Sequence, residues 1–507
     1  MMKRNFKYIL LMLGAVGFMS SCSLDKDPLG DFSDVTEGIN EEGKTVVFKD
    51  KAAVDNQMTT IYNQLRDRQE HWYMDQLLIA EAHADNAYAG TTGAEVVPFE
   101  NNGIEGSNSV IERDWRRFME DIGRANVLIV NIDSVTDQSL TTTLRNQYKA
   151  EAKIFRAMIM FDMVRLWGNI PVTTTVGGDI TEETLEEVYD DYFPEQKTEK
   201  EAYEQIVKDL TEAIPYAPSN NSSDKTKLSK SVAKAILAKV YAEKPVRDYS
   251  KVIQYADDLA ADGFDLEADY TDLFGVVEGS ADPKKRNTRE AILEAHYSQG
   301  NGNWVTWMFG RDLSNWDSNF TWAKWVTPSR DLIKAFQTEN DQIRYSESIV
   351  YYQTSWSNYY PSSNYPFMYK TRSAFSNIIK YRYADILLLK AEALIMGNTA
   401  NLAAAAEIID KVRARVKLPK LTSSVRGSKD AMLEALLKER RLELAFEGQR
   451  WYDLVRLDKV ESVMNSVFAK DSGRKPQIYP FNENSYKMPI PQAIIDQNPK
   501  INQNPGY

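Results

Sequence analysis

Apolar positions recur at helical spacing through most of this chain, and the breaks in that spacing divide it. Residues 50–70, which include AVDNQMTTIYNQL, carry a spaced apolar face, and 73–89 reads as a second helix. The stretch 90–109, GTTGAEVVPFENNGIEGSNS, is too polar and glycine-rich for either periodic pattern. Helices resume over 110–132 and 141–167, the second stopped by Gly168, Asn169 and Pro171. A strand-like PVTTTV follows, then an acidic loop to about 197. Thr198 and Glu201 have the spacing of a capping box and open a helix over 199–214. Further helices cover 229–243 and 249–262; Ala233, Ala235, Ala238 and Ala242 leave room for a neighbouring helix to approach closely. Antiparallel pairs at this spacing predict a tetratricopeptide-like stack, although no clean 34-residue repeat is present.

Between about 263 and 376 the helical period fades. Six of the ten tryptophans crowd in, Trp304, Trp307, Trp316, Trp322, Trp325 and Trp356, with Tyr351, Tyr352, Tyr359, Tyr360 and Tyr365 among Asn, Ser and Gly. One helix is marked there, with Thr327 as cap, Pro328 at its first position and DLIKAF behind them. Regular helices return at 379–396 and 401–416, and the tail is irregular, with prolines at 476, 480, 489, 491, 499 and 505. The fold class expected is therefore mostly α. One domain over 46–507 would combine a helical scaffold (about 46–262 and 377–460) with a loop-rich aromatic region (263–376) and a few short strands.

The densest charge pattern lies in ERRLELAFEGQRWYDLVRL, 439–457. Its helix starts near Ser428, a cap-capable residue. Leu433, Leu436, Leu437 and Leu444 share one stripe with Arg440 and Glu447, while Leu442 and Phe446 occupy the other side. A helix apolar on two sides is buried on both, and charges on it must be paired. Gly448 is a natural stop, and Arg450, Trp451, Asp453 and Arg456 open a second short helix.

Charge removes one function class. The formal net charge of −12 becomes −15 without residues 1–21, which carry Lys3, Arg4 and Lys7 and no acid. Neither nucleic acid nor an anionic membrane surface attracts such a chain. Residues 1–21 read as a signal peptide, a basic start followed by YILLMLGAVGFM. Cys22, the single cysteine, follows at once; it has no partner for an internal disulfide and looks like the acylated first residue of a bacterial lipoprotein. Residues 22–45, acidic and rich in Gly, Asp and Pro, fit a flexible lipidated tether.

Six separated stretches together resemble one family, the SusD/RagB-type outer-membrane lipoproteins of Bacteroidota nutrient uptake. They are the Cys22 signal, FRAMIMFDMVRLWGNIPV (155–172), LSKSVAKAILAKVYAEK (228–244), YRYADILLLKAEAL (381–394), ERRLELAFEGQRWYDLVR (439–456) and MPIPQAIIDQNPKINQNPGY (488–507). The resemblance implies helix pairs supporting a loop-rich face, a lipid-anchored place on the cell surface, and a partner, a SusC-like TonB-dependent barrel. It implies capture of an oligosaccharide or other nutrient for that barrel, without cleavage. It also makes the 439–457 segment a structural clasp, with Arg440, Glu447, Arg450 and Asp453 mutually paired.

Sugar binding needs flat apolar faces for the C–H side of a pyranose and planar polar groups for its hydroxyls. The stretch 304–325 offers both, so Trp304, Trp307, Trp316 and Trp322 are candidate platforms, with Arg311, Asn315 and Asp317 as polar partners. Tyr88, Asn101 and Asn102 are candidates for a second wall. Against this, any single ring in the region fits better in a small core under long loops, although the polar surroundings cannot bury all of them. His71, His83 and His296 lack metal-ligand spacing, and no nucleophile elbow, phosphate loop or calcium loop is present. No cofactor is expected; a structural calcium, held by some relatives, has no support in the spacing. Two other readings stay open here. One is a receptor for peptides or another non-sugar nutrient in the same lid role. The other is a glycoside hydrolase, since two carboxylates among 73 acidic residues are enough for one.

Overall fold

A computed structural model describes residues 47–90, 93–178, 180–310 and 325–507. Cys22, Arg311, Asn315, Trp316, Asp317 and Trp322 lie outside the described residues.

Helix α1 (Lys51–Asp67) is capped by Asp50, whose carboxylate accepts from the Ala53 amide at 2.9 Å. Helix α2 (Ser109–Asn131) packs on α3 (Thr142–Trp167), and α3 on α4 (Glu199–Ala213). Thr198 and Glu201 form the expected capping box on α4. Helix α5 (Lys230–Val240) pairs with α6 (Tyr249–Ala261), which packs on α7 (Tyr383–Met396). Helices α8 (Leu402–Arg415) and α9 (Lys429–Glu443) close on α7, and α10 (Arg450–Arg456) follows. Among the described residues the scaffold is thus a series of packed helices, and the strands form short two-stranded pairings.

Five expectations are corrected, the first three because a distant partner outcompetes local signals. The helix expected over 73–89 ends at Ala82 after a run with two wide π-type turns, and Ala87–Tyr88 pairs with Thr327–Pro328 as strands. Thr327 is therefore no cap. Ser329 caps Arg330–Glu339 instead, its hydroxyl accepting from the Leu332 amide at 3.1 Å and donating to the Asp85 carbonyl at 2.6 Å. In 379–396 the first residues form a strand, Ile378–Arg382, paired with Ala291–Ala295. Of PVTTTV only Pro171 is in a strand, Ile170–Pro171, paired with Gln196–Lys197. The tail, finally, holds a helix at Val460–Lys470.

The 439–457 segment is the hub of an ionic lattice inside this scaffold. Glu443 is buried and receives Arg382 at 2.6 Å, Arg415 at 2.5 Å and Arg344 at 3.1 Å. Glu290 takes Arg382 at 2.6 Å and Arg415 at 2.5 Å, and Glu439 takes Arg344 at 2.7 Å and Arg413 at 2.9 Å. The four residues expected to pair with one another do so only in part. Arg440 binds Asp453 at 2.8 Å and also Asp385 at 2.7 Å. Arg450 instead reaches Asp85 at 2.7 Å, and Glu447 goes to Arg382 at 2.5 Å and to Lys370. The physical reason is the turn: α9 stops at Glu443, and left-handed backbone at Phe446 (φ 62°) and Gly448 (φ 71°) carries Glu447 off the helical stripe.

Burial alone would raise the Glu443 pKa, yet Arg415, Arg382 and Arg344 outweigh it and hold the carboxyl well below its ordinary value. A depressed acid stabilises the fold above its unfolded pKa, and that stabilisation is lost as pH falls toward the folded value. We expect the melting temperature to drop steadily once the pH is lowered beneath about 4.5, the ordinary range of a free carboxyl; a melting temperature flat down to pH 3 would contradict the assignment. Glu443→Ala takes one carboxylate from three buried arginines, each of which keeps another acid, and should cost about 1–3 kcal/mol in chemical denaturation. A cost under ~1 kcal/mol would show that Glu290, Glu439 and Glu447 alone satisfy the arginines.

Candidate functional site

The short helix Trp304–Phe309 turns its two faces to different environments. Val305, Thr306, Met308 and Phe309 are buried, while Trp304 and Trp307, three residues apart and so on one side, are 45% and 48% exposed. Local chemistry holds it there. Asn303 caps the helix, its side-chain oxygen accepting from the Thr306 amide at 2.9 Å. The same side chain donates to the carbonyls of Ser373 at 2.9 Å and Ser376 at 3.0 Å. The Trp304 amide donates to Gln69 Oε1 at 2.7 Å, and Gln69 returns a bond to the Gly302 carbonyl at 3.2 Å. Gly310 lies so close to this support that a β-carbon would sit 2.9 Å from the Thr371 carbonyl. Two half-exposed indoles therefore sit on the outer side of a helix fixed at both ends.

Other candidates fall elsewhere. Trp325 packs on Phe309, ring centres 6.2 Å apart, and Trp356 packs edge-on against Tyr365 at 4.5 Å. Trp325 thus packs against the main core, and Trp356 against buried rings of the loop-rich region. Tyr88 is corrected: it is buried, stacked on Tyr359 with ring centres 4.3 Å apart, and its hydroxyl donates to Asp471 at 2.5 Å. No face of it is left for a ligand. Asn101 is half-buried, its carbonyl accepting from the Ile478 amide at 2.8 Å, and buried Asn102 donates to the Tyr479 carbonyl at 2.9 Å. The stretch expected to lack a periodic element thus holds a short helix, Val97–Asn101, capped by left-handed Asn102 and stapled to the C-terminal tail. Gln69, Asn303 and Ser373 were invisible as support residues, although Asn303, three residues ahead of Thr306, had a legible cap spacing.

The histidines are structural. His71 pairs with Asp121 at 2.9 Å, His296 with Glu294 at 2.6 Å, and His83 donates to the Phe99 carbonyl at 2.6 Å. Burial pushes the His83 pKa down to about 4. Among the described residues no group of three or more His, Cys, Asp or Glu is arranged to hold a metal ion. The surface at Trp304 and Trp307 offers the apolar ring area that stacks on a flat apolar face such as that of a sugar ring.

The SusD family model matches residues 213–507, more than half of the chain. The chain belongs to the SusD family. A second model, described as starch-binding associating with the outer membrane, matches 31–242. SusD-like protein P38 of Formosa agariphila is 26% identical over 544 residues, covering 99% of both chains. Among solved SusD-type structures, a laminarin-binding SusD-like protein superposes with a TM-score of 0.67 at 23% identity, covering 91% of this chain and 100% of its own. Surface glycan-binding protein A from Bacteroides thetaiotaomicron, solved with laminarihexaose, gives 0.70 at 19% identity, covering 90% and 100%. At such identities the structures establish the shared SusD fold.

The face assignment is tested by stability. Trp304→Ala and Trp307→Ala should each shift unfolding by no more than about 0.5 kcal/mol, as surface changes do. Phe309→Ala, on the inner face of the same helix, should cost about 3–5 kcal/mol. Equal costs for inner and outer residues would show that the outward tryptophans are core.

Proposed function

We propose that this SusD-family protein is a non-enzymatic glycan receptor of the cell surface, which captures an oligosaccharide and passes it to a SusC-like TonB-dependent barrel. The observation that carries the reading is the pair of half-exposed indoles on a helix pinned at both ends. Exposing two tryptophans costs burial that other surface residues do not forgo, and a fixed pair loses little conformational freedom when a sugar stacks on it. Support comes from the two structural neighbours, one named as laminarin-binding and one solved with laminarihexaose. The outer-membrane association in the second family description agrees with a surface location.

The anchor belongs to the same proposal. No helix among the described residues is long and apolar enough to cross a membrane. Attachment would come through the acylated Cys22, with 22–45 as the tether. The barrel partner rests on the family's role alone.

Native gels cast with a glycan panel, laminarin first, test the reading. Wild-type protein should be retarded by at least one glycan without releasing reducing ends, and Trp307→Ala should run as in an empty gel at unchanged melting temperature. New reducing ends would contradict a receptor role. Retardation by no glycan, with binding of peptides instead, would transfer the site to a non-sugar nutrient.

A further inference from the structure

Behind the tryptophan-bearing helix, on the side away from its exposed indoles, lies a second feature that glycan stacking does not use. Val305, from the helix's inner face, forms part of the wall of a cavity of about 70 Å³. The volume is several times the roughly 10–15 Å³ that one enclosed water needs. It is also far short of the roughly 300 Å³ at which pockets for larger ligands begin.

The lining is unusually rich in donors. Trp72 and Tyr381 are 0% and 4% exposed, yet neither the indole N–H nor the phenol O–H has a protein partner among the described residues. The buried hydroxyl of Thr371, in the same wall, has none either. An indole nitrogen can only donate, so what it lacks is an acceptor.

Charge points the same way. Lys370, Lys380 and Arg165 line the cavity against one lining acid, Glu447. Lys370 is bound to Glu447 and to the Glu443 carbonyl at 2.9 Å. Lys380 is bound to Asp162 at 2.8 Å and to the Trp72 carbonyl at 3.4 Å. Each ammonium has three N–H groups, so each keeps a donor beyond its two protein acceptors. Glu447 is itself covered by Arg382 at 2.5 Å. Burial pushes both lysines below their ordinary pKa, although Glu447 and Asp162 oppose it. Water would satisfy the orphaned donors; an anion would satisfy them too and would also meet the spare N–H groups of the two lysines.

We propose that this cavity is a binding site for a small monovalent anion, of acetate size or smaller, held by Trp72 Nε1, Tyr381 Oη and Thr371 Oγ1 in the field of Lys370 and Lys380. Its occupancy would brace the wall to which the tryptophan helix is fixed, independently of any glycan.

The test is thermal unfolding of the full-length protein in sodium acetate, sodium chloride or sodium gluconate at equal ionic strength. Gluconate carries the same carboxylate on a body too large to enter. A ligand bound only by the folded state raises the melting temperature with saturation. Acetate, chloride or both should do so, and gluconate should not. Tyr381→Phe and Thr371→Val remove donors that no protein group uses. Both should melt like wild type without the anion and need at least tenfold more of it for half-saturation. If Tyr381→Phe fails to fold, Thr371→Val carries the comparison. Equal curves in all three salts, or variants that respond as wild type does, would overturn the proposal.

Discussion

The constraint on which the structure depends is that none of its interior charges can be left alone. Glu443 sits out of water with three arginines on it, and those arginines arrive from separate parts of the chain: Arg344 before the strand at 349–352, Arg382 at the end of the strand leading into α7, and Arg415 at the end of α8. Attraction between such groups does not by itself make a protein more stable than apolar packing would. It does make partial assembly expensive, because a segment that is out of place strands a charge. The lattice therefore acts as a specification of how the helices and the loop-rich region meet.

That specification reaches the candidate site through a short path. Lys370 is fastened to Glu447 and to the Glu443 carbonyl. The residues just after it receive the tryptophan helix: Ser373, Ala374 and Ser376 accept from Asn303, and Ser373 accepts from Thr306 at 2.9 Å. The charged clasp and the aromatic platform, far apart in sequence, are consecutive links in one chain of contacts. The division of labour is nevertheless clear, because the clasp is buried and the indoles are not.

What could be read in the sequence was what the chain decides within a few residues. The capping box of Thr198 and Glu201, the cap at Ser428 and the boundaries of the helices over 109–131 and 142–167 all rest on neighbours inside one turn. The short strands were illegible because their partners are remote: Tyr88 pairs with Thr327, and Ile378–Arg382 with Ala291–Ala295. The same distance hid Asp85 as the partner of Arg450 and Lys370 as a partner of Glu447. At the site, residue type singled out Trp304 and Trp307, but only the packing of Val305 and Phe309 beneath them decides which way the rings face. Tyr88 had the right composition for a binding wall and the wrong surroundings, since Tyr359 covers its ring.

The link between lattice and platform is tested most directly by hydrogen exchange of the full-length protein, comparing wild type with Lys370→Met. Removing the ammonium frees the start of the supporting segment while leaving Glu447 on Arg382. Amides over 302–310 and 371–376 should then exchange faster, as a local opening would make them, with helix α3 unchanged. Unchanged exchange over 302–310 would show that the tryptophan helix is held independently of the buried charges, and would contradict the account.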